Sequence, residues 1–81
     1  MYNHTRMSAK ILSVSPGVNN TPEFHYVISD AKGTQQLEGM LTLEEARSIA
    51  ERKSYGGVYN MCRAILDTTD YESLVGAQFE N

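Results

Sequence analysis

The residues able to do covalent or metal chemistry are few: one cysteine, Cys62, and two histidines, His4 and His25. A cysteine nucleophile needs a histidine within hydrogen-bond reach and a third group to orient that base. His4 lies in a polar stretch without periodicity, and Cys62 falls on an apolar stripe with Val58, Met61, Ile65 and Leu66. Packing therefore accounts for the thiol better than catalysis. No C-x-x-C or H-x-x-x-H spacing occurs, so no metal site is expected. Glu44 and Glu45 are adjacent, which on a helix points their side chains about 100° apart and does not make an acid and base pair. Gly56-Gly57 is followed by neither Lys-Thr nor a third glycine and is too short to cradle a phosphate. The expectation is a chain with no enzyme activity and no cofactor.

Whatever this chain does must then be done by surfaces. Its 81 residues, 41% hydrophobic and 21% charged, suit a single domain, residues 7–81, behind a mobile polar arm at 1–6. A chain this short buries only about 60 to 65% of the surface its unfolded form exposes, so modest stability is expected. A lone cysteine, no basic leader and no apolar run near the roughly 18 residues of a membrane span favour a cytoplasmic protein that does not cross a bilayer. The net charge of -3 is uneven. Residues 1–66 hold seven bases against six acids, whereas 67–81 hold Asp67, Asp70, Glu72 and Glu80 and no base. That acidic segment repels phosphates and argues against nucleic-acid contact there.

The pattern along the chain predicts an α+β fold. Ser8–Ser15 alternates Ala9, Ile11 and Ser13 against Lys10, Leu12 and Val14 before Pro16-Gly17, which reads as a strand and its stop. Glu23–Ser29 alternates Phe24, Tyr26 and Ile28 against His25, Val27 and Ser29, a second strand. Asp30–Gly33 suits a type I turn into a third strand, Gln35–Leu41, giving an antiparallel meander. At Thr42 the period changes. Thr42-Leu43-Glu44-Glu45 matches a capping box, with Leu43, Ala46, Ile49 and Ala50 on one stripe and Arg47 and Glu51 paired at i and i+4 opposite. Gly56-Gly57 reads as the end of this helix. Residues 58–67 fit a second helix or a fourth strand; Met61, Arg63, Ala64 and Leu66 favour the helix. Thr69–Glu72 resembles another capping box, so a short C-terminal helix carrying Tyr71, Leu74, Val75 and Phe79 is expected.

One helix covers one sheet face, the side of Ile11, Phe24, Tyr26, Ile28 and Leu37. Leu12, Val14, Val27 and Met40 on the other side then need a cover: the C-terminal segment, a second copy in a homodimer, or a partner. The five tyrosines and absent tryptophan also point to interfaces, because tyrosine combines area with a polar tip. The residues expected to meet a partner are Arg47, Glu51 and Arg52 on the exposed side of the first helix, with Tyr55 and Tyr71.

The run Leu37-Glu38-Gly39-Met40-Leu41-Thr42-Leu43-Glu44-Glu45-Ala46, a strand entering a capped helix after a meander, resembles the sheet-plus-helix DNA-binding domains of the AP2 and integrase arm-binding type. In that family arginines on the sheet read the major groove, whereas these strands carry Lys10, His25 and a phosphate-repelling Glu38. A helix-turn-helix over 43–66 would present one base, Arg63, on its second helix. In size, charge and lack of catalytic residues the chain also looks like the small phage-encoded inhibitors of bacterial defence, such as anti-CRISPR proteins, which implies steric occlusion of a larger protein. Three functions are thus expected in order: a protein-binding inhibitor or adaptor, a module sequestering a small nucleotide at a homodimer seam, and a nucleic-acid binder.

Overall fold

Alternating β-branched and aromatic residues pair the first half of the chain into a sheet, as seen in a computed structural model that describes residues 7–30, 32–52 and 56–80. The arm expected at 1–6, with His4, lies outside the described residues, as does Tyr55. Strand β1 (Ser8–Pro16), β2 (Pro22–Ser29) and β3 (Gln36–Thr42) form an antiparallel meander. Helix α1 (Leu43–Ala50) and helix α2 (Gly57–Asp67) follow, then one 3-10 turn (Tyr71–Leu74) and a short strand β4 (Gln78–Phe79). Strand β4 adds antiparallel to the free edge of β1, so the sheet order is β3-β2-β1-β4. The α+β class follows, and residues 58–67 are helical.

Both helices cover one sheet face, α1 across β2 and β3 and α2 across β1 and β4. Between them lies a core of Ala9, Ile11, Phe24, Leu41, Ala46, Met61, Cys62 and Ile65. The stripe on α1 is seated as its spacing predicts, with Ala46 buried and Leu43, Ile49 and Ala50 packed around it. Met61, Cys62 and Ile65, at i, i+1 and i+4, bury the matching side of α2.

Four expectations are corrected. Ile11 pairs with Tyr26 but Ser13 with His25, so Leu12 is the extra residue of a β-bulge. The bulge reverses the alternation and turns Val14 inward, opposite Phe24, onto the core it was expected to oppose. Gly56-Gly57 does not end α1, which stops at Ala50 with Glu51 as its C-cap. It begins α2 instead: Gly56 is the N-cap at φ 112°, a backbone that side chains rarely adopt. The expected C-terminal helix is one 3-10 turn, because Asp70 gives no side-chain cap and the Thr68 hydroxyl takes the Asp70 N–H in a local turn. Finally, the C-terminal segment extends the sheet sideways and leaves its outer face open, held by Gly76 N–H to the Ile11 carbonyl at 2.8 Å and Ile11 N–H to the Ala77 carbonyl at 3.1 Å.

Candidate interaction surface

The face of the sheet away from the helices is assembled from alternate residues of all four strands. Lys10 and Leu12 come from β1, His25 and Val27 from β2, Gln36, Glu38 and Met40 from β3, and Gln78 from β4. Of these, Lys10, Leu12, Val27, Gln36, Glu38 and Gln78, with Met7, Asp30, Lys32 and Gly33 at the margin, line an open trough of about 750 Å³, and His25 and Met40 lie beside it. Among the described residues no helix or strand lies on it. The sheet holds these side chains by backbone pairing, so their spacing is set by strand geometry, not by loops.

The electrostatics of the trough are mixed. His25 Nε2 and Glu38 Oε1 stand 2.9 Å apart across β2 and β3, within hydrogen-bond distance and half-open to solvent. A pair so exposed adds little stability. Glu38 keeps most of its surface and can meet a cation from outside. The Asp30 carboxylate accepts from the Thr34 N–H at 2.9 Å and the Thr34 hydroxyl at 2.8 Å, which holds its carboxyl below the ordinary range. It is therefore spent on its own turn. Lys10 and Lys32 face Asp30, Glu38 and Glu80 around the trough, with Leu12 and Val27 as apolar floor.

The sequence-predicted partner residues do not gather here. Arg47, Glu51 and Arg52 are exposed on α1 and just past its end, on the opposite side of the molecule from the trough. Arg47 and Glu51 do not come within ion-pairing distance; only the Glu51 N–H to the Arg47 carbonyl joins them, at 3.0 Å. Tyr71 is half-buried, its ring edge-on to Phe24 with centroids 5.3 Å apart. Much of its area thus closes the core beside Val14. Tyr59 also serves its own helix, its hydroxyl accepting from Arg63 Nη1 at 3.1 Å.

Cys62 is wholly buried, and burial pushes its thiol up to about 11. His25 projects from the far side of the sheet, so these two residues cannot form a nucleophile and base. No group of three or more histidine, cysteine, aspartate or glutamate side chains among the described residues is placed to hold a metal ion. No helix among them is long and apolar enough to cross a membrane. None of the known protein families, curated proteins or solved structures matches the chain. The trough residues were legible in sequence only as an uncovered strand face. Their mixture of polar and apolar groups depends on the bulge, which removes Val14 from that face and leaves Lys10, Gln36, Glu38 and Gln78 in the majority.

Proposed function

We propose that this chain is a non-enzymatic protein-binding module, an inhibitor or adaptor that seats the outer sheet face against a larger protein. The observation that supports this reading is the open trough with interleaved charges of both signs over an apolar floor of Leu12 and Val27. Protein surfaces present the same mixture, and rigid strands supply it without an ordering cost on binding. Two lysines against three carboxylates give no excess of cations for a phosphate, which disfavours a nucleotide or nucleic acid in this trough. The likeness in size and charge to anti-CRISPR inhibitors extends the reading to steric occlusion, with Glu38 and Glu80 offered to a basic site.

The exposed Arg47, Glu51 and Arg52 form the competing surface, and one flat partner cannot touch both sides of the sandwich. A photo-crosslinking residue placed at Leu12, and separately at Arg47, separates them. In lysate of the native host, crosslinking from position 12 is expected to give one stoichiometric adduct that Glu38→Lys weakens at least tenfold. An adduct from position 47 alone transfers the binding role to α1. No adduct from either ends the reading.

A further inference from the structure

Among the described residues nothing pairs with the sheet edge opposite β4. Strand β3 runs seven residues, pairs with β2 without a bulge, and contains neither lysine nor proline. These are the usual devices that stop an edge from pairing. Which backbone groups it offers follows from the turn: the Asp30 N–H donates to the Gln35 carbonyl at 3.2 Å, so 30 and 35 form a hydrogen-bonded pair. Such pairs recur at every second residue of an antiparallel ladder. Leu37, Gly39 and Leu41 therefore spend their N–H and C=O on β2, while Gln36, Glu38 and Met40 turn theirs to the open edge. Thr42 confirms the phase, since its N–H is taken not by β2 but by Glu45 Oε1 at 2.8 Å.

The side chains of this edge fit a second copy of the same strand. We infer that β3 pairs antiparallel with β3 of another chain, Gly39 opposite Gly39 on the two-fold axis, to make one continuous sheet. In this register Glu38 faces Met40 of the partner, and each such pair exchanges two backbone bonds, about four in all. Shifting by one pair to set Glu38 against Glu38 opposes two carboxylates directly, which destabilises. Shifting the other way aligns Glu38 with Thr42, whose N–H is already committed to the helix cap. The central register also covers what the monomer leaves bare. Met40, 52% exposed, gains a neighbour on the outer face, and Leu37, 68% exposed, comes opposite Leu41 on the inner face. The glycine at the axis has its inner side already filled by Tyr26, whose hydroxyl would lie 2.6 Å from a Cβ there. On the outer face the two troughs become parts of one surface.

This inference is independent of the protein-binding reading, which concerns the outer face and not the edge. The test is sedimentation equilibrium of the full chain, in which the mass is expected to rise from 9.1 kDa toward twice that as concentration increases. Met40→Pro removes an outward N–H and no bond to β2, so the variant is expected to stay folded by circular dichroism and to remain a monomer. Should that variant not fold, hydrogen exchange on the unaltered chain decides: the Glu38 and Met40 amides are expected to slow at least tenfold between about 10 µM and 1 mM. The register is read by mixing Glu38→Cys with Met40→Cys chains, which should form the mixed disulfide in preference to either symmetric one. A 9.1 kDa species at 1 mM whose Glu38 and Met40 amides exchange freely overturns the proposal and leaves the edge to an extended segment of another protein. A dimer unchanged by Met40→Pro overturns it as well.

Discussion

Cys62 and Gly57 show how single atoms constrain this small core. The Cys62 thiol sits among Met61, Ile65 and the strands with no exposed surface, and its neutral form is favoured there. Its folded value of about 11 lies above the ordinary thiol value of 9.0, so the stability it confers is complete below pH 9 and is lost as pH rises toward 11. Labelling by a thiol reagent at pH 8 should accordingly be at least a hundredfold slower in buffer than in denaturant, and Cys62→Ser, which buries a hydroxyl, should cost about 1–3 kcal/mol. Comparable labelling rates would contradict a buried thiol. At Gly57 a Cβ would stand 2.7 Å from the Phe79 carbonyl oxygen and 2.8 Å from that of Met7. Alanine improves helix propensity by about 1 kcal/mol. Here it meets backbone that cannot rotate away, so overpacking wins and Gly57→Ala should lower stability by about 1–3 kcal/mol in urea titration.

At the level of elements, the junction of β3 and α1 is a reciprocal cap. Thr42 Oγ1 accepts from the Glu45 N–H at 3.1 Å while Glu45 Oε1 accepts from the Thr42 N–H at 2.8 Å. Thr42→Ala should cost about 1 kcal/mol. Adding Glu45→Ala should cost less than its single change does, because both act on one motif, and full additivity in thermal melts would refute that coupling. The β2–β3 turn carries an acid-sensitive contact in the Asp30–Thr34 pair. With the carboxyl lowered from 3.8, its contribution is complete above that value and lost as pH falls through the folded one. Replacing Asp30 by Asn should lower the urea midpoint at neutral pH and leave the midpoint at pH 2 little changed, which flattens the fall between pH 4 and pH 2.

For the whole molecule, the C-terminal strand is the closing piece of the fold. Phe79 packs on the core, β4 pairs with Ala9 and Lys10, and Asn60 Nδ2 donates to the Glu80 carbonyl. A domain of this size has roughly 4–12 kcal/mol of stability. Losing Phe79 and several backbone bonds removes about 3 kcal/mol or more of it. Ending the chain at Val75 should broaden or abolish the cooperative thermal transition, and an unchanged midpoint would show that β1 needs no neighbour on that side. The same closure bears on the outer face: because β4 joins the edge and does not fold across the sheet, no helix or strand among the described residues covers the trough.

Local pattern was enough to determine the meander, the face carrying Ile11, Phe24 and Tyr26 and the start of α1 at Thr42, whereas for residues 58–67 it favoured a helix and left a fourth strand open. Each rests on a period or a capping motif within a few residues, which short-range sterics and hydrogen bonding decide. Tertiary structure decided the rest. The bulge at Leu12 answers to pairing with β2, and it moved Val14 into the core and left the outer face polar. Gly56-Gly57 opens α2 and does not close α1, because only contact with the backbone of Met7 and Phe79 demands a residue without a Cβ there. Tyr71 is drawn onto Phe24 and the last residues into β4 because the edge of β1 offered unpaired backbone groups, a demand that arises only once the sheet exists.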